Sequence, residues 1–128
     1  MRVTKNIREY IEEQVFAKAK QSPKLAELEQ KKIKAIEDFQ KDKKNAEDMC
    51  QVYVDQFVNK YQLDIKGTRP RAYFERCHEH TLPECKEYRK VYEEIHNKAR
   101  QTVLDIIVEL ELGGTKAELM EKLNAIEF

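Results

Sequence analysis

The chain is poor in the residues that make turns: three glycines, three prolines and a single serine, Ser22, in 128 residues, while Glu, Lys, Ala, Leu and Gln abound. That scarcity excludes most β and α/β folds, which spend such residues on many tight turns. Charge of one sign is lacking too. Lys and Arg number 24 against 24 Asp and Glu, so formal net charge is zero although 38% of residues are charged. This balance excludes a uniformly basic nucleic-acid coat and the single-sign charge of many disordered tails. Long apolar runs are missing: the longest aliphatic stretch near the C-terminus is Ile106-Ile107-Val108, and the first fifteen residues hold no apolar signal-peptide core. The expectation is a cytoplasmic chain with neither signal peptide nor membrane span. Cysteines are few and odd in number, Cys50, Cys77 and Cys85, which speaks against a disulfide framework and for reduced thiols.

What is present is helical patterning. Thr4 is placed to cap a helix carrying Ile7, Ile11, Val15 and Ala19. Ser22-Pro23 reads as an N-cap followed by the first helical residue, opening a helix that the pattern carries to about Tyr61. At 100° per residue, Leu25, Leu28, Ile36, Phe39, Ala46, Cys50, Tyr53, Val54, Phe57 and Tyr61 fall in one stripe, with Lys32 and Lys43 inside it. Residues 40–48 hold one apolar side chain, Ala46, so the middle of this helix is expected to be weakly packed, bent or open to a partner. Residues 63–82 form an irregular bend in which Pro70 starts a short helix. Thr81-Leu82-Pro83 then opens a helix with Tyr88, Val91, Tyr92, Ile95, Ala99, Val103, Ile106 and Leu110 on one face, ended by Gly113-Gly114. Thr115 with Glu118 is a capping box for a short last helix.

The two long helices, about 39 and 30 residues, would extend about 58 and 45 Å. Alone they would leave too much apolar surface in water. The expected architecture is therefore all-α: one helical domain over residues 1–128, a bundle built on a long antiparallel helical hairpin with shorter N- and C-terminal helices. A second copy of the chain is the other means of covering such a hairpin.

Two cysteines and two histidines cluster in Cys77-His78-Glu79-His80-Thr81-Leu82-Pro83-Glu84-Cys85. In a helix Cys77 and His80 share a face, and Cys85 lies in the first turn of the next helix, so Cys77, His80 and Cys85 are candidate ligands of a structural zinc. For the fourth ligand His78 points elsewhere and His96 is too far along its helix, which leaves a carboxylate such as Glu79 or Glu84, a water, or Cys50 if residues 63–82 fold back along the long helix. The alternative makes Cys50 a core residue and Cys77 and Cys85 small semi-buried side chains beside surface histidines. Catalysis by a cysteine with His80 lacks an orienting group or oxyanion donor.

Other signatures of chemistry are missing. There is no phosphate-binding glycine loop and no H-E-x-x-H pair, and the acid pairs Glu12-Glu13 and Glu93-Glu94 fall on solvated helix faces. The chain is read as no enzyme. Within the bend, residues 66–76 carry Lys66, Arg69, Arg71 and Arg76 against Glu75 alone, interleaved with Tyr73 and Phe74. Lys66, Arg69, Arg71, Tyr73 and Arg76 are the candidate partner-binding residues; a nucleic-acid-binding module using residues 66–76 is the alternative. The Lys-rich stretch from Lys31 to Lys44 is offset by acids and reads as the wet side of a helix.

The opening Val3-Thr4-Lys5-Asn6-Ile7-Arg8-Glu9-Tyr10-Ile11 and the ending Leu110-Glu111-Leu112-Gly113-Gly114-Thr115-Lys116-Ala117-Glu118-Leu119 resemble the ends of small helical proteins of phages and prophages of Gram-positive bacteria. Proteins of that kind include inhibitors of host defence, anti-CRISPR proteins among them. The resemblance implies a helical inhibitor in the host cytoplasm that docks on a larger bacterial protein such as a CRISPR nuclease; it assigns no binding residue.

Overall fold

The computed structural model describes residues 1–48, 50–64 and 69–128, with Pro70 described by its backbone alone. Among the described residues there are six α-helices, a 3₁₀ turn at Glu79–Thr81 and no strand: α1 Lys5–Lys20, α2 Pro23–Glu47, α3 Gln51–Tyr61, α4 Pro70–Arg76, α5 Pro83–Glu111 and α6 Lys116–Ala125. None of these helices is long and apolar enough to cross a membrane.

Helix starts follow the local signals. The Thr4 hydroxyl accepts from Ile7 N at 3.4 Å and that of Thr115 from Glu118 N at 3.3 Å, each satisfying a first-turn amide. The Ser22 carbonyl accepts from Ala26 N at 3.0 Å as a cap residue should, but its hydroxyl is buried and has no partner among the described residues. At the end of α5, Gly113 adopts φ +126°, a conformation costly for L side chains. Gly114 follows so closely that an added Cβ would lie 3.0 Å from a Leu110 methyl and 3.1 Å from the Leu110 Cα. Two glycines are therefore required for the chain to leave α5 and enter α6.

The single helix expected over 23–61 is instead two. α2 stops at Glu47, and Cys50 takes an extended conformation, φ −74° and ψ 171°, as the N-cap of α3. The break falls next to the stretch with one apolar residue, where continuing the helix would bury almost nothing. Reversing direction buries a great deal: Phe39 and Phe57, eighteen residues apart and about 27 Å apart in a straight helix, have ring centroids 5.5 Å apart. Phe39 and Tyr61 meet edge to face at 4.9 Å. Cys50 is accordingly exposed, which corrects its expected place in the core.

The chain forms two compact units, residues 1–27 with 89–128, and residues 28–88. In the first unit, Ile11, Val15 and Ala19 of α1 pack with Ala99, Val103, Ile106 and Leu110 of α5 and with Leu119 and Leu123 of α6. These are the apolar faces the periodicity marks. In the second unit the core is Phe39, Ala46, Val54, Phe57, Phe74, Cys77, Leu82 and Cys85. The lysines inside the α2 stripe fit without loss: Lys32 Nζ lies over the Tyr88 ring, 4.5 Å from its centroid, and Lys43 is half-buried.

One polar constellation pins α3 against α2. Asp42 Oδ2 accepts from Lys60 Nζ and from the Tyr61 hydroxyl, both at 2.6 Å. The Lys60 bond first, then the Tyr61 bond, holds the Asp42 carboxyl below its ordinary value. Burial, and next the bond to Asp42, pushes the Tyr61 phenol well above its own. A lowered folded-state pKa stabilises above the unfolded carboxylate value of about 4 and ceases to do so as pH falls through the folded value. Lys60 is largely in solvent, so the gain is about 1 kcal/mol or less. Urea titrations of the wild type and Asp42→Asn should show a midpoint gap at about pH 6 that closes on acidification to about pH 2; a gap that widened would contradict the assignment.

Candidate protein-binding surface

The bend is built by α4, the 3₁₀ turn and the first turn of α5. Pro70 begins α4 because a first-turn residue needs no amide hydrogen, and its fixed φ suits the helix. Phe74 and Cys77 turn inward, with Phe74 6.1 Å from Phe57 between ring centroids. The turn that follows is held by Thr81 Oγ1 donating to the His78 carbonyl at 2.8 Å and by Gln40 Nε2 donating to Glu79 Oε2 at 2.7 Å. Cys85 returns the chain to the same core.

This arrangement separates the candidate zinc ligands. Cys77 and Cys85 share one apolar cluster, whereas His80 is exposed, as is His78. Among the described residues no group of three or more His, Cys, Asp or Glu side chains is disposed to hold a metal ion. Burial pushes the Cys77 thiol up, against the smaller opposing effect of Lys43. Cys77 and Cys85 are both buried within that cluster. His96, the third histidine, lies 4.1 Å from Tyr92 and 5.6 Å from Phe16 between ring centroids, half-buried in the first unit.

The candidate partner-binding residues present more of themselves to solvent. Arg69, Arg71 and Arg76 are exposed and Tyr73 is half-buried; Lys66 lies outside the described residues. Tyr73 and Arg76 lie at i and i+3 on one side of α4, and Arg69, exposed and extended, is the N-cap residue that precedes it. Arg71 lies on another side. With Phe74, Glu75, Lys43 and Glu47 it lines a shallow cleft of about 600 Å³. No family model, no curated protein and no solved structure matches this chain.

Lys43 and Glu47 are the cleft residues that residue spacing did not single out. Lys43 had a signal, its position inside an apolar stripe, but a lysine there reads equally as one more solvated cation. A second cavity of about 410 Å³ lies among Phe39, Tyr61, Leu63 and Leu82, with Asp38, Lys60 and Glu84 at its polar wall. Its opposed charges leave no single electrostatic character for a ligand to complement.

Proposed function

We propose that the chain is a non-enzymatic protein-binding helical module that docks through the basic face of α4 on an acidic surface of a larger bacterial protein and blocks it. A CRISPR nuclease is the target that the resemblance of its ends implies. The observation that carries the reading is the pair of exposed arginines at the two ends of α4, Arg69 at its N-cap and Arg76 in its last turn, with half-buried Tyr73 between them in sequence. Arginine and tyrosine are the side chains that most often dominate binding energy at interfaces, because each combines a planar apolar surface with directed donors. The proposal keeps the antiparallel helical hairpin as its scaffold. Lys32 over the Tyr88 ring is the contact that supports pairing of α2 with the start of α5.

The test is binding of the purified chain to a purified CRISPR nuclease, read by calorimetry and by inhibition of target cleavage. Binding at micromolar concentration or tighter is expected, weakened about 10-fold or more in Arg69→Glu/Arg76→Glu. Absence of binding, or equal binding by that variant, overturns the reading. A salt-dependent gel shift of free DNA or RNA that the same variant abolishes would favour the nucleic-acid-binding alternative instead.

A further inference from the structure

The last three turns of α5 are apolar on two opposite sides. One side, Ala99, Val103, Ile106 and Leu110, is buried against α1 and α6. The other carries Leu104, Val108 and Leu112 at i, i+4 and i+8, which are 48%, 53% and 83% exposed. The stripe is continuous, since Leu112 N still donates to the Val108 carbonyl at 3.0 Å just past the end of α5. A helix apolar on both sides is the pattern of one covered on both sides. Isolated exposed leucines are ordinary, but three stacked along one line are an unpartnered helix face.

Charge along that face selects its cover. Arg100 lies one turn before Leu104 and Glu111 one residue before Leu112; at 100° per residue both fall within about 40° of the Leu104 direction, and both are exposed. We infer that the face pairs with the same face of a second copy of this chain, the two α5 helices antiparallel about a two-fold axis near Ile106. Arg100 then stands about 9 Å before the axis and Glu111 about 7.5 Å after it. Each Arg100 therefore meets Glu111 of the other copy, while Leu104 and Val108 interdigitate between them. Asp105, exposed beside the stripe and one residue from the axis, meets its own counterpart and keeps the pairing weak; a parallel pairing would add arginine on arginine and glutamate on glutamate to that contact. An isologous patch of this kind closes at two subunits. Three side chains supply less than the roughly 800 Å² per partner of a stable interface, so the dimer is a weak, micromolar one. It stands apart from the α4 reading, which uses other residues.

Sedimentation velocity of the full chain from about 5 µM to 1 mM tests this, with the partner-binding assay run in parallel. Concentration-dependent dimerisation is expected, with a Kd of order 10–100 µM. Leu104→Glu and, separately, Val108→Lys should raise it at least about 10-fold while far-UV circular dichroism and Tm are unchanged, because both positions face water in the monomer. Arg100→Glu should weaken the dimer and Arg100→Glu/Glu111→Arg restore it. A monomer throughout that range, leaving the face to a different protein, overturns the inference. So does a dimer indifferent to Leu104→Glu and Val108→Lys, or a charge exchange that fails to restore. Leu104→Glu should leave nuclease binding intact and Arg69→Glu/Arg76→Glu should leave the dimer intact, so either proposal can fail without the other.

Discussion

Phe39→Ala should destabilise the chain by about 3–5 kcal/mol, one of the two largest effects expected of a single substitution here. Phe39 is 2% exposed and sits at the centre of the aromatic cluster that closes the α2–α3 turnback, with Phe57 and Tyr61 both against it. Its removal takes away the transfer free energy of a large side chain and leaves a cavity that the neighbouring rings fill only in part. A domain of this size has roughly 5–15 kcal/mol of total stability, so the loss is a large share of it. Urea denaturation should show a lower midpoint, and hydrogen exchange should accelerate in α3, where the reversal of the chain depends on this contact. Phe39→Leu, which keeps most of the volume, should cost well under half as much. Equal effects of the two substitutions would mean that the cluster is not packed as described.

Val15→Asp should cost about 4 kcal/mol or more at neutral pH. Val15 is fully buried in the first unit, within the cluster formed by α1, α5 and α6. Aspartate is itself a small side chain, so overpacking is limited and desolvation of the carboxylate dominates the cost. Buried among these apolar side chains, the carboxyl should be held above its unfolded value. A raised folded-state pKa places the penalty at high pH: it is complete once pH exceeds the folded value and shrinks as pH falls towards the unfolded value near 4. The difference in Tm between wild type and variant should therefore be smaller at about pH 4 than at pH 7. Val15→Ala, which removes volume without adding charge, should cost less and show no such trend. A Val15→Asp penalty independent of pH would show that water reaches this position.

Much of the fold is written locally. Thr4 and Thr115 start helices because a cap hydroxyl acts on amides within three residues of itself, and Pro23, Pro70 and Pro83 start them because a first-turn residue needs no amide hydrogen. The buried faces of α1 and α5 follow the 3.6-residue period. The break at Cys50 was legible only as a weak middle: nothing in the Gln40–Asp48 stretch forbids a helix, and no proline or glycine marks the turn. Cys50 illustrates the consequence. On a continuous helix it lies among apolar neighbours, whereas as the N-cap of α3 it faces water. The candidate site divides in the same way. Its arginines and tyrosine could be found by composition, but the burial of Cys77 and Cys85, and the cleft that Arg71 shares with Lys43, depend on residues from α2 and α3.

The sequence by itself determined that the chain is helical, where most helices begin, and which side of α1 and of α5 is apolar, because capping and periodicity are properties of neighbours in the chain. Only the tertiary structure decided that α3 turns back on α2. The free energy favouring that turn comes from Phe39, Phe57, Tyr61 and Phe74 meeting across eighteen or more residues of chain in the extreme pairs, and not from any preference at Cys50 itself. It likewise decided that the second apolar side of α5 stays uncovered within one copy of the chain, since a periodic stripe records that a side is apolar but not whether anything lies against it.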